Sequence, residues 1–200
     1  MEGIYKAQSS NVTTPSTLKN KFEALNSYFL KEIYKSSNLS RKFEISSSTK
    51  NDTADTDISV LSRSYADQII RSAKLDEYIE GERSKTEMLM DMFYKSNKDA
   101  FRDGFQKAWI EIYKLKDSEL MSTFVNISSG ISYEKLQDKA DALIFGAYAH
   151  QSTKVNDAII RAVESWEQKE HITILEELKP CDINWLEEYK QQVIEHLRDI

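Results

Sequence analysis

The stretch that decides the fold is KTEMLMDMFYKSNKDAFRDGFQKAWIEIYKLK, residues 85–116. Ser84 precedes it and Glu87 follows three residues later. That pairing is a capping box: the serine oxygen takes the N–H of residue 87, and the glutamate reaches back to the serine backbone. Met88, Met92 and Phe93 then form one apolar cluster. Phe101, Phe105, Ala108, Ile112 and Leu115 form a second, with Trp109 and Tyr113 beside it. Steps of three and four place such residues on one face of an α-helix. The polar run Ser96-Asn97-Lys98-Asp99 separates the clusters. Either the helix bends there, or one rod of about 48 Å serves two neighbours, at ~1.5 Å per residue. Gly104 costs about 1 kcal/mol relative to Ala inside a helix, which predicts close approach of another helix at that point.

The same spacing recurs outward in both directions. Upstream, Leu61, Tyr65, Ala66, Ile69, Ile70 and Ala73 make a wide stripe, with Asp57 or Ser59 as the expected N-cap. Downstream, Asp117 or Ser118 opens a short helix through Leu120, Met121, Phe124 and Val125. Ser132 opens another through Leu136, Ala140, Leu143 and Ala147. Val155, Ile159, Val163 and Trp166 form a stripe that resumes at Ile174 and Leu178 and stops at Pro180. Asn184 with Glu187 reads as a second capping box, for a helix carrying Leu186, Tyr189, Val193, Ile194 and Leu197. Near the start of the chain, Leu18, Phe22, Leu25, Phe29 and Ile33 give one further face.

Composition agrees with helix throughout. Two hundred residues contain only 5 Gly and 2 Pro, whereas sandwiches and barrels need many turns built from those residues. With 40% hydrophobic residues a core is available. The expected fold is all-α, a single compact bundle of six to seven helices with a flexible loop after the first. The organisation read from the sequence is a flexible arm at 1–16, an N-terminal helical segment at 17–45, a polar flexible linker at 46–57 and a helical bundle domain at 58–200. The linker reads SSSTKNDTADTD, and Ala54 is its only apolar residue, too little to offset the entropy of ordering.

Charge is uneven. Residues 1–50 carry 8 Lys/Arg against 4 Asp/Glu, a net +4, and residues 51–200 carry 19 against 29, a net −10. Proteins that track a phosphate backbone present a basic face, so the overall balance of −6 argues against nucleic acid. The basic N-terminal segment, with Lys19, Lys21, Lys31, Lys35, Arg41 and Lys42, keeps that reading as the alternative. The start MEGIYKAQSS has no apolar leader, and the longest uncharged run, Leu120 to Tyr133, is too short and polar to span a bilayer. These features set the expectation of an intracellular, cytoplasmic chain with no membrane span.

Chemistry-bearing motifs are sparse. Glu164, Glu167, Glu170 and His171 share a stretch, but a carboxylate-bridged di-metal site needs Glu-x-x-His on two helices, and no second copy exists. The expectation is an acidic solvated face with His171 paired to Glu167, four residues away, and no metal or cofactor. Cys181 is the single cysteine. It reads as a half-buried structural thiol. A nucleophile would need His150 or His171 beside it in space, and an enzyme would have to assemble its site from such distant residues. Trp109, Trp166 and Trp185 each lie beside a core stripe, which predicts burial. Aromatic side chains are also the anchors of protein interfaces. The expected function is therefore non-enzymatic binding of another protein, or of a second copy as a homodimer, by helix-face pairing. The candidate contact residues are Tyr28, Tyr34 and Phe43 in the N-terminal segment and Trp109 and Tyr113 on the long helix.

Overall fold

Helices α1 (Asp52–Leu75), α2 (Lys85–Ser96) and α3 (Lys98–Lys114) open the fold. They are followed by α4 (Ser118–Ser129), the single turn α5 (Tyr133–Leu136) and α6 (Asp138–Tyr148). The last three are α7 (Thr153–Trp166), α8 (His171–Glu177) and α9 (Asn184–Asp199). The computed structural model describes residues 52–200, and among them there is no strand. The chain is all-α, and these residues belong to one compact unit, Ile45–Ile200. The expectations for the arm at 1–16 and the segment at 17–45 lie outside the described residues.

The long stretch divides at Asn97. Its backbone is extended (φ −155°, ψ 109°), and its side chain accepts the N–H of Ala100, so one residue closes α2 and caps α3. The first capping box forms as expected: Ser84 Oγ accepts the Glu87 N–H at 3.1 Å, and the Glu87 carboxylate returns to the Ser84 backbone. Asp117 caps α4, accepting from Glu119 and Leu120.

Two helix pairs make the most extensive contacts, α1 on α3 and α4 on α7. At Gly104 a side-chain β-carbon would lie 2.8 Å from the Ser62 carbonyl oxygen and 3.0 Å from the Tyr65 β-carbon. The glycine is what lets α1 lie against α3. Phe105 of α3 and Phe124 of α4 join the pairs, their rings 5.5 Å apart, and Phe101 packs behind Phe105 at 6.3 Å. Across α1 and α2, Tyr65 stacks on Phe93 with ring centroids 3.9 Å apart. Helix α6 packs on α3 and α7, and α9 packs on α7 and α8.

Several expectations are corrected. Helix α1 starts at Asp52, so the second half of the stretch read as linker is helical, and neither Asp57 nor Ser59 is its cap. Nucleation is the costly step of helix formation. Turns already packed through Tyr65 and Ile69 extend upstream through a segment, 52–57, with Ala54 as its only apolar residue. On α2 the buried residues are Thr86, Glu87, Met90 and Phe93, while Met88 and Met92 face outward. Leu115, placed in the core by spacing, is exposed beyond the end of α3. On α8 it is His171 and Leu175 that are buried, not Ile174 and Leu178. The second capping box does not form: Asn184 is the first helical residue of α9, and Glu187 accepts the N–H of Cys181 instead. Helices also break at Gln137 (φ 50°) and Glu167 (φ 49°), which gives nine helices among the described residues.

Candidate functional site

Of the residues expected to form an interface, Tyr28, Tyr34 and Phe43 lie outside the described residues. Trp109 is fully buried on α3 and offers no docking surface. The reason is the position of α3, enclosed by α1, α2, α4 and α6. Tyr113 is half-buried, its ring edge-on to His150 at 5.9 Å. Trp166 is buried and donates from Nε1 to the Ile131 carbonyl at 2.9 Å. Trp185, expected in the core, is 51% exposed at the start of α9.

Two polar clusters carry the titratable chemistry. In the first, Asp141 on α6 accepts from the Tyr133 hydroxyl at 2.9 Å and lies 3.2 Å from His171 Nε2. Both Asp141 and His171 are buried, and the rings of Tyr133 and Trp166 stand edge-on to the imidazole. Burial, then the Asp141 charge, pushes the Tyr133 phenol up. His171 therefore does not pair with Glu167. Glu167 adopts the left-handed conformation that ends α7, so the two residues no longer share a helix, and Glu167 meets His196 Nε2 at 3.5 Å instead.

The second cluster surrounds Cys181. Its sulfur is 2.9 Å from the Tyr148 hydroxyl, which also donates to the Lys179 carbonyl, and its N–H donates to Glu187 Oε2 at 2.8 Å. Lys190, almost wholly buried, meets the same carboxylate oxygen at 2.9 Å. Burial opposes ionisation of Glu187, but the Cys181 N–H, Lys190 and Gln191 hold its carboxyl down to about 2. Burial pushes the Cys181 thiol up, away from the thiolate that nucleophilic chemistry needs. His171 is engaged with Asp141, and His150 Nδ1 accepts the Ser152 N–H. Both clusters tie segments together: α5, α6 and α8 in the first, α6, α9 and the turn between α8 and α9 in the second. Among the described residues no group of three or more His, Cys, Asp or Glu is placed to hold a metal ion.

The outward features are apolar and charged helix faces. Leu75 (89% exposed), Tyr78, Ile79, Met88 (50%) and Met92 (56%) lie along the end of α1, the connection and α2. They are five of the ten exposed large hydrophobic residues described. Along α9 runs a shallow groove of about 490 Å³ lined by Asn184, Glu187, Glu188, Gln191, Gln192 and Glu195. Sequence reading missed the α2 face. Its signal was present: Thr86, Met90 and Phe93 are spaced by four and three, and choosing them as the inward stripe puts Met88 and Met92 outside.

These features define an all-helical bundle with inward-facing polar clusters and amphipathic outer faces. The chain matches no protein-family model, and neither a curated protein nor a solved structure matches it. Among the described residues no helix is long and apolar enough to cross a membrane.

Proposed function

We propose that this chain is a protein-binding helical module that acts through its outer helix faces and carries no catalytic site of its own. The observation that supports this reading is the concentration of exposed large apolar side chains between Leu75 and Met92. Exposed apolar groups in such density are a feature of recognition surfaces. Methionine suits the task, since an unbranched, polarisable side chain adapts to partners of varied shape. The polar clusters support the same reading, because Asp141 is taken up by Tyr133 and His171 and Glu187 by Cys181 and Lys190.

A photo-crosslinking side chain at Met92 of the full chain tests the proposal in native extract. The expected result is one discrete adduct that disappears when Met88 is replaced by Lys. Diffuse labelling, no stronger than from the exposed Glu134 position, would remove this face from consideration.

A further inference from the structure

We propose that the outward face of α2 docks on the outward face of α9 in a second copy of this chain. This rests on the protein-binding reading and names its partner. On α2 the exposed residues are Lys85, Met88, Met92, Lys95 and Ser96. The acids of this helix do not offset the lysines. Glu87 is buried, and Asp91 is engaged by Arg83 and Lys135. Among the described residues neither Lys85 nor Lys95 has an ion-pair partner. The face is thus a methionine pair bracketed by two unpaired cations, on a body whose residues 51–200 carry a net charge of −10 from 19 bases and 29 acids.

The complementary face is on α9. Trp185, Glu188, Gln192 and Glu195 are all exposed and follow one another by three, four and three residues, the same steps as Lys85, Met88, Met92 and Lys95. Two stripes with this common spacing lie straight along their helices and can be laid side by side. Glu188 and Glu195 have no ion-pair partner among the described residues, whereas the nearby bases are occupied: Arg198 pairs with Glu176, His196 with Glu167, and Lys190 with Glu187. Glu188 and Glu195 are separated by about 10 Å along the helix and Lys85 and Lys95 by about 15 Å, at ~1.5 Å per residue. A lysine side chain spans the difference. Trp185, three residues before Glu188, falls at the end of the stripe, where its ring covers a terminal lysine of α2.

Within one molecule the two helices pack on other elements, by their inner sides. Helix α2 packs on α1, α3 and α4, and α9 on α7 and α8. The two faces are complementary rather than identical, so an α2 face meets an α9 face of the other copy and not its own counterpart. Pairing α2 with its own copy would set lysine against lysine, which charge disfavours.

Sedimentation of the full chain across a concentration series at low salt tests the inference. Wild type is expected to self-associate, and less so at high salt. K85E/K95E and E188K/E195K should each weaken association by roughly tenfold or more while keeping the helical circular dichroism of wild type. Mixing the two variants should restore it, because the acidic α9 of one meets the basic α2 of the other. K85Q/K95Q, which only removes charge, should fall between wild type and the reversal. A chain that stays monomeric at every concentration, or association that the reversals leave unchanged, or loss without rescue on mixing, would overturn the proposal. A monomeric chain that still gives the discrete Met92 adduct would leave the protein-binding reading in place.

Discussion

Glu87 and Glu187 bring the same side chain to opposite surroundings, and pH separates them. Glu87 is buried, its carboxylate seated where a β-carbon on Gly130 would lie only 2.6–2.8 Å away. Burial pushes its carboxyl up, against the pull of the Ser84 N–H and of Arg83. A carboxyl raised in the fold favours the neutral form, so its ionisation penalises folding at neutral pH, and the penalty fades as pH falls through the folded value. Replacing Glu87 with Gln keeps a capping-box acceptor and removes the charge. Thermal melts should show E87Q more stable than wild type at pH 7, with the gain shrinking on acidification. A less stable variant at pH 7 would mean that the Arg83 pairing outweighs burial. Glu187 runs the other way. Its carboxyl is held down to about 2 from an ordinary 4.5, so its contribution is complete above about pH 4.5 and is lost as pH falls toward 2. E187Q should cost about 1–2 kcal/mol at pH 7, after allowance for its partial exposure. It should also flatten the acid limb of a denaturation series over that window. Neither environment was legible from sequence. Both glutamates sit at capping-box spacing, and only the fold shows that Asn184 gives up its place to Cys181.

At the scale of elements, apolar spacing located the helices and residue type located few of their ends. Asn97 was legible as a polar interruption. Gln137 and Glu167 were not: both adopt positive φ, a region where glycine is expected and other residues carry a steric cost. Sequence reading therefore ran α5 into α6 and α7 into α8, and from that error placed His171 beside Glu167. The same observation gives a prediction. Gln137 has φ 50° and ψ −123°, so Gln137→Gly relieves the backbone and should stabilise the protein by about 0.5–1 kcal/mol in urea unfolding. A loss of stability would show that the Gln137 side chain matters more than its backbone. Gly104 is the opposite case. An alanine there meets the Ser62 carbonyl and the Tyr65 β-carbon, both fixed to the α1 backbone, so the helices must move apart. Gly104→Ala should cost about 1–3 kcal/mol despite its better helix propensity. An unchanged melting temperature would mean that α1 and α3 slide without cost.

For the molecule as a whole, faces are harder to read than helices. Spacing shows that a stripe exists but not which neighbour it meets. Spacing places Trp109 beside a core stripe, with a docking role as the second reading; the enclosure of α3 selects the core, and the packing of α2 turns Met88 and Met92 outward. The same geometry identifies the weakest join in the described fold. Between α1 and α2 the chain runs through Leu75–Arg83, where all but Asp76 is exposed and Gly81 turns at φ 80°. The segment is fastened at its far end, where Asp76 accepts the Thr86 N–H at 2.7 Å, Thr86 donates to Ser72 at 2.8 Å and Ser84 caps α2. Exposed backbone with few buried contacts opens locally at low free energy. Within residues 52–200, chymotrypsin should therefore cut first after Leu75 or Tyr78. The two pieces should stay together under native conditions and separate only in denaturant, because Tyr65, Ala66, Ile69 and Ala73 of α1 remain buried in the core and α1 keeps its packing along α3. Mass spectrometry of the early digest, followed by native and denaturing gel filtration, reads both parts. First cuts inside α3 or α4, or pieces that part without denaturant, would show that the α1–α3 pair is not the stable centre of the fold.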